Sequence, residues 1–220
     1  MMIGKRICSV ATESRHEMTE FYLIRHGQTT GNTQGIKQGT TNTAITHLNE
    51  TGQQQAQRLH DHFAIDFADQ LFVSPLIRTQ QTAAIVNQTA ALPQTVDQRL
   101  LEISYGRWDG QLNAELKQQY PALFSDLTGD VLPAYAAEAG GETFADVERR
   151  VADFVAEKVR DYPTGKLIVV THGFTVRSFV VNALQVPHPL AVPEPDNTSV
   201  TKIRVTAKGQ QVLEYFNRIY

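Results

Sequence analysis

Phe21-Tyr22-Leu23-Ile24-Arg25-His26-Gly27-Gln28-Thr29-Thr30-Gly31-Asn32 passes from apolar to polar within a single residue step. A short apolar run bounded by turn formers reads as a buried strand of a parallel sheet. Loops at the carboxyl ends of such strands are where open α/β sheets build their sites. The stretch therefore sets a guanidinium and an imidazole side by side where a ligand is expected.

Two further strands repeat the arrangement. Gln70 to Ser74 carries Leu71-Phe72-Val73 and runs through Pro75 into a helix expected from Leu76 to about Ala91, with Arg78 on its first turn. Lys166-Leu167-Ile168-Val169-Val170-Thr171 ends in His172-Gly173 and feeds a helix from Phe174 to about Leu184. Strand, turn and helix in succession predict an α/β fold: a three-layer α/β/α sandwich with a mostly parallel central sheet. Asn49 is placed to cap a helix reaching about Phe63, with Ala56, Leu59 and Phe63 as its apolar stripe. Thr143 and Asp146 approximate a capping box ahead of a stripe of Val147, Val151, Phe154, Val155 and Val159. Alternating residues around Lys208-Gly209 predict a closing hairpin.

Between Ile103 and Gly141 the character changes to scattered glycines, prolines and aromatics with one weak helix near Asn113 to Gln119. Residues 103–141 read as a lid inserted into one domain spanning 18–220, and residues 1–17 as a poorly ordered tail. Tyr105, Trp108, Phe124, Tyr135 and Phe174 are open to two readings, a pocket lining or the lid's own small core.

Composition narrows the function. With 220 residues, 41% hydrophobic and a net charge of −3, the chain has a full-sized core and no electrostatic footprint for nucleic acid or an anionic membrane. One cysteine and no apolar run of about 20 residues favour a cytoplasmic protein. No dinucleotide fingerprint, Walker loop, nucleophile elbow or Cys/His metal spacing is present, so neither a cofactor nor a metal is expected. Nothing in the sequence bears on oligomeric state.

In a parallel sheet the three strand ends share one edge, which would bring Arg25, His26, Arg78 and His172 together. Taken singly, each has a bland reading as a core histidine or a surface cation. Clustered like charges are costly unless an anion completes them, and phosphate oxygens match guanidinium forks. Arg25-His26-Gly27 with Asn32, Ser74-Pro75-Leu76 leading to Arg78-Thr79, Glu102 within Leu101 to Gly110, and Val170-Thr171-His172-Gly173 resemble the histidine phosphatase superfamily, the phosphoglycerate mutase-like group. The nearest likeness is to its broad-specificity and cobalamin-phosphatase branch, over residues 20 to about 217.

The resemblance implies metal-independent hydrolysis of a small phosphomonoester through a phosphohistidine on His26. Arg25, Arg78 and His172 would bind the transferred oxygens, and Asn32 would add a hydrogen bond. Glu102 would serve as acid and then base. Gln38 and Gly39 stand in the family's Arg-x-Gln-Gly loop, here Lys37-Gln38-Gly39. Phe174 replaces a smaller residue, Glu142 is a lesser candidate near the site, and Tyr105 and Phe174 are candidate substrate contacts. A mutase reading asks for extra cations around a second phosphate. The insertion offers only Arg107 and Lys117 against Asp109, Glu115, Asp126, Asp130 and Glu138, which favours hydrolysis. A phospho-ligand binding module without turnover is the third reading.

Overall fold

Phe21, Leu23 and Ile24 are wholly buried in β1 (Met18–Arg25), the strand that organises the others. The computed structural model describes residues 18–220, so the expected tail at 1–17 lies outside the described residues. After β1 come the one-turn α1 (Thr30–Thr33), α2 (Glu50–His62), β2 (Gln70–Val73), α3 (Ile77–Val86) and β3 (Gln94–Val96). Residues 103–141 contribute α4 (Asn113–Gln119) and α5 (Tyr135–Ala139). They are followed by α6 (Phe144–Asp161), β4 (Lys166–Thr171), α7 (Gly173–Leu184), β5 (Val200–Thr206) and β6 (Gln211–Arg218).

The six strands form one sheet in the order β3-β2-β4-β1-β5-β6. β1, β2, β3 and β4 pair in parallel, and the β5–β6 hairpin joins β1 antiparallel. The strand period of two sorts side chains between the faces. Phe21, Leu23, Phe72, Leu167 and Val169 pack with Val151 and Phe154 of α6 and Phe174 and Phe179 of α7. Tyr22, Ile24, Leu71, Val73, Ile168 and Val170 pack with Leu59 of α2 and Ala83 and Val86 of α3. Helices on both faces make the three layers, and each buried Leu, Ile or Phe contributes about 1.5–3 kcal/mol before entropy is charged.

The capping residues act as expected. Asn49 Oδ1 accepts from the Gly52 amide at 2.8 Å, and Thr143 with Asp146 completes a reciprocal capping box. The helix expected to reach Ala91 stops at Val86. Asn87 closes that turn by exchanging hydrogen bonds with Leu92, and Ala91 takes a left-handed φ of 48°. Strand β3 went unread because its three residues are exposed and carry no apolar alternation.

Residues 103–141 are tied to the loop after α1 by main-chain bonds from Lys37 to Gln111 and from Gly110 to Lys37. Their aromatic residues divide. Trp108 stacks on Phe124 with centroids 5.9 Å apart and also meets Tyr120 and Tyr135. These rings belong to the core cluster on the α6–α7 side of the sheet.

Candidate active site

A cavity of about 250 Å³ opens at the carboxyl edge of the parallel strands. Arg25, His26, Asn32, Gln38, Gly39, Arg78, Glu102, Tyr105 and Phe174 all line it. Of the expected aromatic contacts only Tyr105 and Phe174 reach it; Trp108, Phe124 and Tyr135 do not.

His26 follows the last residue of β1 and is almost fully buried. Its Nδ1 lies 2.8 Å from the Gly27 carbonyl oxygen, which can only accept. Nδ1 therefore carries the proton, and Nε2 is left with its lone pair. Burial, then the charges of Arg78 and Arg25, hold this imidazole well below its ordinary value of 6.5, so it is neutral at pH 7. His172 caps α7 behind it, fully buried, with ring centroids 5.3 Å apart. Its Nε2 lies 2.7 Å from Ser74 Oγ at the end of β2, while Nδ1 has no partner. Burial likewise keeps His172 neutral.

The two arginines are held by carbonyls. Arg78 donates to Gly39 O at 2.8 Å and Thr41 O at 3.1 Å, and Arg25 donates to Pro195 O at 2.5 Å. These bonds fix the guanidinium planes; Arg25 also has the Glu194 carboxylate 3.9 Å away. Burial lowers Arg78 to about 10, which leaves it charged at neutral pH. Among the described residues, Nε of Arg25, Nε of Arg78 and Nδ1 of His172 are buried without a hydrogen-bond partner. Buried guanidinium N–H groups without partners are rare, and the two that act on His26 mark a place for an anion.

Glycine makes the surrounding loop possible. Gly39 has φ +48°, and a Cβ there would stand 1.7 Å from Asp109 Oδ1. Gly31 lets Gln38 approach, where a Cβ would be 2.9 Å from its side-chain amide carbon. Gln38 Oε1 accepts from Thr29 Oγ1, and Asn32 Oδ1 accepts from the Thr29 amide, so the amide groups of both are oriented.

Glu102 comes from the irregular link before residues 103–141. Its carboxyl group accepts from the amides of Ile103 at 3.0 Å and of Phe174 and Thr175 at 3.3 Å. Burial raises its pKa above the ordinary 4.5, and the Glu194 carboxylate adds to the rise against Arg78. A carboxyl group biased toward its protonated form suits proton donation.

Glu142 is not in the cavity. It forms a two-pronged pair with Arg150 of α6 at 2.8 and 3.1 Å and accepts from the Ser104 amide, pinning the end of the lid. Sequence reasoning placed it near the site because it follows Gly140-Gly141, but Arg150 draws it to the helix side.

Lys37, Lys117, Arg177, Asp130 and Glu194 line the cavity beyond the arginines and were not assigned from sequence. Arg177 lay within reach, since it follows Phe174 by three residues on one face of α7. Glu194 sits in a proline-rich loop with no periodicity to flag it. The acidic balance of the insertion does not carry into the cavity. Arg107 pairs with Glu138 on the exterior, Asp109 accepts from Thr40 and the Tyr105 amide, and Lys37 and Arg177 arrive from outside the lid.

Residues 21–218 match the model of the histidine phosphatase superfamily (branch 1), and the chain belongs to that family. Phosphoserine phosphatase 1 of Hydrogenobacter thermophilus is 30% identical over 161 residues, 73% of this chain and 74% of that protein. The adenosylcobalamin/alpha-ribazole phosphatase of Escherichia coli is 29% identical over 166 residues, covering 76% and 79%. The solved structure of Bacillus stearothermophilus YhfR superposes with a TM-score of 0.81 at 29% identity, over 92% of this chain and 98% of that one. With phosphatases for relatives, the chain is a phosphoric monoester hydrolase by class. No helix among the described residues is long and apolar enough to cross a membrane.

Proposed function

We propose that the chain hydrolyses a small phosphomonoester in two in-line displacements at His26, without a metal ion. The observation that carries the proposal is the Nδ1–Gly27 hydrogen bond, which leaves a neutral Nε2 under the charges of Arg78 and Arg25, whose Nε atoms are buried without partners.

In the first displacement the Nε2 lone pair forms the N–P bond as the ester P–O bond breaks. Glu102 passes its proton to the departing alkoxide. In the second, Glu102 takes a proton from water, whose oxygen attacks phosphorus as the N–P bond breaks. Phosphate leaves, with His26 neutral and Glu102 protonated again. Arg25, Arg78 and His172 hold the equatorial oxygens throughout, and Asn32 and Gln38 add amide donors. These groups supply the fixed positive potential that phosphoryl transfer needs. The single cysteine suits a reducing, cytoplasmic setting.

Rapid quenching with a ³²P-labelled substrate tests the reading. An acid-labile phosphoenzyme should form in the wild type and be absent from His26→Ala. Full turnover by that variant would overturn the nucleophile assignment. Lys37 and Lys117 at the far end of the cavity lend some weight to a mutase. Inorganic phosphate release without a bisphosphate primer separates the two activities in favour of hydrolysis.

A further inference from the structure

Thr171 and Thr175 stand on either side of His172, the first as the last residue of β4 and the second in the opening turn of α7. Both are wholly buried. Hydroxyls at such places usually close a local turn or cap. These two reach carbonyls 71 and 74 residues away: Thr171 Oγ1 donates to Leu100 O at 2.7 Å, and Thr175 Oγ1 donates to Leu101 O at 2.7 Å. The carbonyls belong to the two residues immediately before Glu102. Neither helix nor strand forms at residues 101–105, so no secondary-structure ladder fixes the link that carries the acid–base carboxyl group. Thr171 O also accepts from the His26 amide at 3.0 Å, and so one residue ties the nucleophile's strand end to that link.

Thr175 reaches the carboxyl group as well. Glu102 Oε1 meets the Ile103 amide at 3.0 Å and both the amide and the hydroxyl of Thr175 at 3.3 Å. Oε2 meets the Phe174 amide alone among the described residues, which leaves it the freer oxygen for a transferred proton. The branched Cβ of threonine restricts χ1 and so fixes the direction of each hydroxyl. We propose that Thr171 and Thr175 are positioning residues for Glu102, holding its carboxyl group at a set distance from His26 and His172 so that the proton reaches the leaving oxygen while the phosphoryl group is held. They take no part in the bond changes. The inference rests on the phosphatase reading with Glu102 as its acid. Proton transfer needs heavy atoms within about 2.6–3.2 Å, and a misplacement of about 1 Å can cost about 10²-fold in rate.

The test is a rapid-quench measurement of phosphoenzyme formation from glycerol 3-phosphate and from p-nitrophenyl phosphate, since only the first ester needs its leaving oxygen protonated. Thr175→Val keeps the shape of the side chain and removes the hydroxyl. It should slow the step by about tenfold or more with glycerol 3-phosphate and by less than about threefold with p-nitrophenyl phosphate. Thr171→Val should show the same contrast, and Thr175→Ser should return both rates to within about threefold of wild type. Inhibition by inorganic phosphate should stay within about twofold of wild type throughout, because Arg25, Arg78 and His172 keep their donors. If Thr175→Val does not fold, Thr175→Ala compared with Thr175→Ser reads the same contrast.

Glu102→Gln, measured beside these variants, separates the two possible failures. If it keeps the difference between the esters while the threonine variants lose rate equally on both, or lose none, the inference is overturned and hydrolysis with Glu102 as acid stands. If Glu102→Gln shows no difference between the esters either, the acid assignment fails and the inference falls with it.

Discussion

The imidazoles of His26 and His172 meet edge to face, with ring centroids 5.3 Å apart and planes at 63°. They come from the ends of adjacent parallel strands, β1 and β4, whose register pairs Arg25 with Thr171. One ring has its proton held by Gly27 O and its lone pair free. The other has a polar atom buried and unpartnered. Ser74 Oγ lies 2.7 Å from His172 Nε2 and can donate or accept there; we assign it as the donor, which places the imidazole proton on Nδ1 for an anionic oxygen.

Replacing His172 by Ala removes that donor from the transition state. It should lower kcat by about 10²–10³-fold, the usual cost of losing one preorganised donor to developing negative charge. Ser74→Ala should cost less, because the imidazole remains and only its orientation loosens. Steady-state kinetics on both variants, with far-ultraviolet circular dichroism to establish folding, decide the order.

Glu102→Gln should discriminate by leaving group. An alkyl phosphate needs its alkoxide protonated, whereas p-nitrophenolate leaves unaided. The variant should therefore form phosphoenzyme quickly from p-nitrophenyl phosphate and slowly from an alkyl ester, while hydrolysis of the intermediate slows with both. Equal loss of phosphoenzyme formation on both esters would remove Glu102 from the acid role.

The pH dependence of stability follows from the two buried histidines. Both sit well below 6.5 in the folded protein, so below that pH the unfolded chain binds protons there that the folded chain does not. Unfolding free energy from these groups is complete above pH 6.5 and is lost as the pH falls toward their folded values. Glu102, raised above 4.5, acts in the opposite direction as the pH rises through its own range. His26→Asn should gain on the wild type in melting temperature as the pH is lowered from 7 to 5.5. A constant difference between the two proteins would contradict a neutral buried His26.

Gly39→Ala should damage both stability and catalysis. A side chain at φ +48° is strained, and this one would meet the Asp109 carboxylate. The cost is expected at about 1–3 kcal/mol in denaturant unfolding, with a fall in phosphate affinity as the Gly39 carbonyl shifts away from Arg78.

Arg150→Ala separates packing from chemistry at Glu142. It leaves the Glu142 carboxylate and the Arg99 carbonyl without their guanidinium. Stability should drop by about 1–3 kcal/mol. Activity on a small ester at 25 °C should change by less than about threefold, since neither residue reaches the cavity.

Legibility followed the range of the interactions. Asn49, Thr143 with Asp146, and the three apolar strand cores could be read because capping and alternation are local. The stop at Val86 was missed because Asn87 closes its turn through Leu92, a contact that helix periodicity does not announce. Edge strand β3 was missed because main-chain pairing to β2, not side-chain pattern, defines it.

The sequence by itself determined that strands ending in Arg25-His26-Gly27 and His172-Gly173 lie in a parallel α/β sheet with Arg78 near their ends. Those are strand ends and first helical turns, positions set by neighbours a few residues away. Only the tertiary structure decided which charges face the cavity. Glu142 turns to Arg150, Asp109 turns to Thr40, and Lys37 and Arg177 reach the cavity from elements outside residues 103–141. Each of these choices depends on a partner distant in sequence, and the electrostatic cost of an unpaired buried charge is set by which partner is within reach.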